Sequence, residues 1–391
     1  MFRRIFDVAI VGAGACGLAC ALNLKTDNII IFDKKSGAKK LSITGNNRCN
    51  ITNTLPFDEF LSSYGRNGKF LRDVFGCCFR DELIVWLNGL GVFTKQEEGR
   101  VYLDGITSRE LAGILVNRLA KNVVFKRFEP VELLKKTDGI FRITTNRGSY
   151  YSKFVVLSCG GKSFPHTGSD GSCFRLAQSL GHDIVPPKPY ETPFCCKGYG
   201  HLKGISFKDR QLRLNIGKKR FKVRGDFIFT HFGLSGPAIF ELSAHDFDEG
   251  ELGISFIDGD RHRLKERIHL FKGKLVNFLD GFLPKRIAQM APFSNKRCSD
   301  LKKEELEEVL DFLFDFRVKV KKCGFNRAFL TSGGVNLKHV DPKTLKSKIV
   351  DGVFFCGEVL DIQGPIGGFN LQFAFSSGLF VARILNRLLL Q

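Results

Sequence analysis

Three glycines open the chain at the spacing of a phosphate cradle: Gly12-Ala13-Gly14-Ala15-Cys16-Gly17, with Asp33 following 21 positions after Gly12. The apolar run 6–11 before them suits a strand buried on both faces. Residues 18–25 read as a helix, and 29–32 as a second strand ending at Asp33. Each residue type has a task in such a strand–helix–strand unit. Gly12 permits the tight turn, Gly14 lets a pyrophosphate approach the backbone, and Gly17 lets helix and strand pack closely. The helix start offers free N–H groups and the positive end of its dipole. Asp33, with Lys34 beside it, can accept hydrogen bonds from a ribose diol. Cys16 reads as a small packing residue within this turn. The fingerprint alone does not separate FAD from NAD.

A second group near the C-terminus decides for FAD. Residues 349–358 read as a strand ending in Gly357-Glu358, followed by Asp361 and by Gly367-Gly368-Phe369-Asn370-Leu371-Gln372, where a helix over 373–390 begins. The acid can bond a ribityl chain. The helix start can stabilise negative charge at the N1–C2 carbonyl edge of a reduced flavin. FAD is therefore the expected cofactor, and the two ends of the chain are expected to meet around it. Only one dinucleotide fingerprint exists, so NAD(P)H is expected as a transient electron donor without its own domain. No metal site is expected.

Four further segments carry a resemblance. They are residues 40–53 (Lys40-Leu-Ser-Ile-Thr-Gly45-Asn-Asn-Arg48-Cys49-Asn50-Ile-Thr-Asn53), 159–171 (with Gly160, Gly161 and Thr167), 229–237 (Phe229-Thr-His231-Phe-Gly-Leu-Ser-Gly-Pro237) and 331–335. With the two nucleotide segments, they make the chain resemble the flavoprotein family of YhiN and BaiN, over residues 7–386 and in the same order. The resemblance implies an α/β fold. A discontinuous Rossmann-type FAD-binding domain (1–190 and 331–391) would carry an insert at 191–330. The insert would have a β-barrel-like, β-rich part (191–260) and a mainly helical part (261–330). Cofactor contacts are expected at Lys40, Gly45, Arg48, Cys49, Asn50, Val131, Gly160, Gly161 and Thr167. The chain departs from the family pattern at Gly45-Asn46-Asn47, where a triple glycine is usual, at Asp33, often Glu, and at Phe369, often Tyr.

Two residues could move protons. Cys49 reads as a general acid or as a buried packing thiol. His231 reads as a proton donor to substrate or as a structural hydrogen-bonding residue. The resemblance implies reduction of a C=C bond, with two substrate classes: uridine in ribosomal RNA, giving dihydrouridine, or a small conjugated enone. A flavin-bearing RNA-binding protein without turnover is the third reading.

Charge bears on this choice. The chain has 391 residues, 60 Lys+Arg against 40 Asp+Glu, and a net charge of +20. Such a surplus speaks about partners, not fold. Residues 197–225 hold ten cations and the single acid Asp209. The ten are Lys197, Lys203, Lys208, Arg210, Arg213, Lys218, Lys219, Arg220, Lys222 and Arg224, and they are the RNA-binding candidates. A solvated strand face would give the same run.

The positioning elements follow from pattern. Helices are expected at 58–63, 80–90, 109–120 (capped by Thr107 or Ser108), 264–279, 283–290 and 302–316. A small β-meander is expected over 122–150. The twelve cysteines show no C-x-x-C spacing and read as reduced, buried thiols of a cytoplasmic protein. No apolar run reaches 18 residues, so no membrane span is expected. The oligomeric state is not legible.

Overall fold

Continuous apolar strands are stable only when both faces are covered, and residues 8–11, 29–32 and 155–157 are all buried. The computed structural model, which describes residues 4–119 and 123–391, places them at the centre of one sheet. The chain folds as two compact units, Met1–Pro189 with Phe329–Gln391, and Tyr190–Ala328. In chain order the first unit contributes β1 (Ile5–Val11), α1 (Ala15–Asn23), β2 (Ile29–Asp33), β3 (Asn50–Asn53), β4 (Thr94–Glu97), β5 (Arg100–Leu103), β6 (Val124–Arg127), β7 (Val131–Thr137), β8 (Ile140–Thr145), β9 (Gly148–Leu157) and β10 (Ile184–Tyr190). The helix at Ser108–Asn117 starts on a capping box: Thr107 Oγ1 accepts from Glu110 N, and the Glu110 side chain accepts from Thr107 N. Residue 120, to which this helix was expected to run, lies outside the described residues.

The second unit is built on a closed barrel. Its strands are β11 (Phe194–Cys195), β12 (Ser206–Ile216), β13 (Lys219–Phe229), β14 (Gly233–Ser235), β15 (Glu249–Ile254) and β16 (Phe316–Lys322), in the order β11-β14-β13-β12-β15-β16. Closure leaves no open sheet edge. Here the expected helices need correction. The helix predicted over 264–279 is two, Arg261–Leu270 and Leu275–Leu279. They are separated where Gly273 lies against the Phe271 ring; a Cβ there would sit 2.7 Å from Cε1. The helix predicted to 316 ends at Phe314, because Phe316-Arg-Val-Lys-Val-Lys-Lys alternates with period two and becomes β16. The 261–330 stretch thus also supplies the strand that closes the barrel.

The chain then returns to the first unit through β17 (Leu330–Val335), which pairs with β10, and β18 (Val353–Phe355), before the long helix Phe369–Leu389. The main sheet runs β6-β2-β1-β9-β8-β7, and β18 also pairs with β9. β6, β2, β1, β9 and β18 are parallel to their neighbours among themselves, while β8 and β7 run antiparallel. The Gly12 turn, the end of β9 and Gly357 therefore converge at the carboxyl ends of neighbouring parallel strands, where open α/β sheets bind ligands. β3, β5 and β4 form a separate antiparallel sheet.

The cysteine reading is corrected. Cys159–Cys173 and Cys195–Cys323 are disulfides, closing loops of 14 and 128 residues. Local spacing cannot reveal partners brought together by the fold, so the cysteines no longer argue for a reducing compartment. Among the described residues, no helix is long and apolar enough to cross a membrane.

Candidate cofactor site and basic surface

The three glycines of the opening turn do different work. Gly12 has φ +104°, and a Cβ on it would lie 2.5 Å from the Cys159 Cα. A Cβ on Gly17 would lie 2.0 Å from Gly12 O and 2.7 Å from Ser158 Oγ, whose hydroxyl donates to that same carbonyl. These two glycines seat α1 on the ends of β1 and β9. Gly14 is different: its nearest neighbour in the Cβ direction is Ser158 O, 3.9 Å away. Space is left open over Gly14, beside the start of α1, where no side chain caps the free N–H groups. Gly14→Ala is expected to change stability by less than about 1 kcal/mol, because its φ of −81° suits alanine, yet to abolish retention of a bound dinucleotide. Thermal unfolding and the nucleotide retained on purification would check the two halves separately.

Asp33 closes this turn. Its carboxylate accepts from Ala13 N (2.9 Å) and Lys35 N (2.7 Å), and burial raises its pKa. Lys34 reaches Asp170 (2.8 Å) and Ser172 (2.7 Å) on the 160–172 loop. Cys16 is buried and its thiol donates to Cys356 O (3.3 Å), so the side chain packs α1 against the end of β18. Val131 begins β7 and is buried.

The second half of the site is a polar knot around Glu358. Its carboxylate accepts from Lys40 Nζ (2.7 Å), Ser163 Oγ (3.1 Å) and Thr331 N (2.8 Å). Thr331 Oγ1 in turn accepts from Lys162 N and Ser163 N, and a Cβ on Gly161 would lie 2.5 Å from it. Gly160 has φ +74°, which lets the loop turn beside Ser169. Thr167 donates to Phe164 O within that loop. Gly357 is likewise obligatory, since a Cβ there would meet Cys16 Sγ at 2.6 Å. Asp361 accepts from Gly333 N (3.0 Å), and burial raises its pKa.

Gly367 and Gly368 form the turn into the C-terminal helix, and β3 holds them there. Asn53 donates to Gly367 O (3.0 Å). With its amide oriented to satisfy both ends, Asn50 accepts from Gly368 N (3.1 Å) and donates to Val101 O (3.0 Å). Gly368 lies against the Thr52 backbone, 2.5 Å from where its Cβ would be. Phe369 stacks on Phe60, and its carbonyl accepts from Tyr64 OH (2.7 Å). Asn370 clasps Gly364 through both its amide atoms; Leu371 is half-buried, and Gln372 is buried and donates to Ser376. Gly45 has φ +61° within the 3₁₀ turn Leu41–Asn47. Arg48 pairs with Glu97 and lies over the Tyr102 ring (4.4 Å). Cys49 is fully buried, and burial pushes its thiol up to about 12.

Buried polar atoms without partners call for a group to satisfy them. Among the described residues they are Thr52 Oγ1, Ser169 Oγ, Gln363 Oε1 and Gln372 Oε1. All four lie on the segments that build this site: β3, the 160–172 loop and the turn into the C-terminal helix. Together with the opening over Gly14, they fit a dinucleotide. Sequence reasoning did not single out Ser163, Thr331, Asp170, Ser172, Tyr64 or Asn67, whose amide donates to Asp361 O. Ser163, Asp170 and Thr331 fall inside segments that carry the family resemblance, but the contacts of all six reach residues far along the chain.

In the second unit, His231 is exposed in a turn that Thr230 closes by accepting from Gly233 N (3.1 Å). The ten cations of 197–225 divide. Arg210 pairs with Asp258, Arg213 with Asp315, and Arg224 with both Asp209 and Asp258. Lys197, Lys203, Lys208, Lys218, Lys219, Arg220 and Lys222 are exposed, without an ion-pair partner among the described residues.

The profile of the HI0933-like protein Rossmann domain matches residues 6–384. The chain belongs to that family. HI0933-like relatives align end to end with it. A 3-dehydro-bile acid delta(4,6)-reductase of Clostridium scindens is 28% identical, covering 96% of this chain and 98% of its own. A ribosomal RNA dihydrouridine synthase of Escherichia coli is 26% identical, covering 95% and 96%. Among solved structures, a 3-ketosteroid delta1-dehydrogenase from Sterolibacterium denitrificans shares the fold, with a TM-score of 0.55 at 11% identity over 98% of this chain and 99% of its own. The HI0933-like chain is thus a redox enzyme with a nucleotide-binding Rossmann fold and a barrel insert. Two of its departures from the family pattern have a local reading. Asp33 spends both oxygens on backbone N–H groups, and Phe369 serves through its ring and its carbonyl, so neither position calls on the longer or hydroxylated side chain.

Proposed function

We propose that the protein holds FAD in the first unit, takes electrons from transiently bound NAD(P)H, and reduces the C5=C6 bond of a uridine in ribosomal RNA. The cofactor reading is carried by one observation: space is left open over Gly14 beside the uncapped start of α1, and the partnerless buried atoms lie on β3, the 160–172 loop and the segment 363–372 that leads into the C-terminal helix. FAD bound there would supply the hydride for C6 of the base. The backbone around Gly14 and the start of α1 would bind the diphosphate, and Glu358 would accept from the ribityl chain. The start of the C-terminal helix would oppose negative charge at the pyrimidine edge.

The proton for C5 needs a donor. Cys49 and His231 are the candidates. The Cys49 thiol, held near 12 by burial, stays protonated throughout the neutral range, so donation from it would give a rate flat between about pH 6 and 9. The seven unpaired cations support an RNA substrate over a neutral one. The test is dihydrouridine mapping of ribosomal RNA from a strain lacking this protein: loss at one site is expected, and an unchanged map would end the RNA reading. The Clostridium scindens relative supports a second reading, reduction of a conjugated enone. That reading predicts NAD(P)H-driven enone reduction with an unchanged map. The non-catalytic reading is set aside, because the family and fold are those of redox enzymes.

A further inference from the structure

The basic run is not one surface. β12 and β13 form a hairpin whose register runs from Ser206↔Ile228 to Ile216↔Lys219, closed by Gly217-Lys218. Gly217 has φ +56°, as the first position of a tight two-residue hairpin turn requires. Arg220, Lys222 and Arg224 alternate on one face of β13, opposite Asn215, Arg213 and Gln211 of β12. At the base of the hairpin the charges are spent. Arg224 hydrogen-bonds Asp209 and both oxygens of Asp258, and these carboxylates raise its pKa. Arg210 bonds Asp258 and Phe256 O, and Arg213 bonds Phe314 O and pairs with Asp315.

Toward the tip the hairpin carries no acid of its own. Lys218, Lys219, Arg220 and Lys222 fall within five residues, all exposed, and the hairpin end beyond Arg213 contains no carboxylate. On the neighbouring β15, Glu251 is opposite Asn215 and pairs with Arg317, and Glu249, two residues nearer the tip, pairs with Lys321. On the strand beyond it Lys319 is opposite Glu251 and is also exposed. The other unpaired cations are dispersed: Lys197 and Lys203 lie in the loop before β12, and Lys208 adjoins Asp209.

We propose that the tip of the β12–β13 hairpin, through Lys218, Lys219, Arg220 and Lys222, is the phosphate-contacting surface of the second unit, and that its partner is the RNA backbone. This rests on the RNA reading above and narrows it from ten candidates to four. A hairpin turn with four free cations within five residues can contact phosphates without reading sequence, whereas arginines fixed in ion pairs release few counterions.

The test compares full-length holoprotein with two variants. One is Lys218→Gln/Lys219→Gln/Arg220→Gln/Lys222→Gln. The other is Lys197→Gln/Lys203→Gln/Lys208→Gln, also built on exposed unpaired lysines. The probe is a 20-nucleotide oligouridylate, titrated across a salt series. The tip variant should bind at least about tenfold more weakly, and its log K against log salt slope should flatten by about 3, since each single-strand phosphate contact contributes about 0.7. The control variant should flatten it by less than about 1. Flavin content and unfolding midpoint should match wild type in both. A tip variant with the wild-type slope overturns the proposal while leaving the RNA reading intact. A wild-type protein that shows no salt-dependent binding overturns both.

Discussion

Gly17→Ala is expected to cost about 3 kcal/mol or more of stability and to yield protein without flavin. The added methyl would stand 2.0 Å from Gly12 O and 2.7 Å from Ser158 Oγ. Neither can give way cheaply. Gly12 is pinned by the Cys159 backbone, and the Ser158 hydroxyl is engaged with both Val11 O and Gly12 O. The clash is therefore backbone against backbone at the junction of α1, β1 and β9, and overpacking of that kind forces whole elements apart. The contrast with Gly14→Ala is the informative part. Both substitutions add one methyl within the same turn, but the first should move the unfolding midpoint and the second only flavin retention. Equal midpoints for the two variants would contradict the geometry.

Glu358→Gln should have the next largest effect, about 2–3 kcal/mol, with a fall in FAD affinity. The amide keeps the size of the carboxylate but turns a donor toward Lys40, a cation that is itself largely buried. Lys40 then retains Ser163 Oγ as its only remaining acceptor among the contacts seen here. Removing one partner of such a pair strands the other charge, which is why the loss exceeds that of an ordinary hydrogen bond. Urea unfolding of the flavin-free protein isolates the stability term, and flavin titration the binding term. A double variant adding Lys40→Met should recover much of the stability but not the FAD affinity. Additive stability losses would rule out the pairing.

What the sequence discloses is local. The glycine turn is legible because its three glycines and the flanking strand lie within a dozen residues, and each glycine's task follows from backbone geometry. The capping box at Thr107 and Glu110 is legible for the same reason. Glu358 is visible as an acid after a strand, but its partners Lys40 and Ser163 stand 318 and 195 positions away. Counting charge over 197–225 misleads for a similar reason. Asp258 and Asp315, which neutralise Arg210, Arg213 and Arg224, lie outside that window. The two disulfides also depend on contacts that no periodicity carries.

β9 has two partners along one edge: β8 beside its first half and β18 beside its last three residues. β18 comes from residues 353–355, nearly 200 positions after β9, so the whole barrel unit must be synthesised before the central sheet of the first unit can close. The barrel unit, ending at Ala328, leaves the ribosome complete while its host is still missing a strand and the long helix. During synthesis the guest is therefore ready before the host. The exposed flank of β9 and the apolar underside of α1 must wait, uncovered, for the strand and helix that follow the barrel unit, and this interval is when the nascent chain is most open to misassembly.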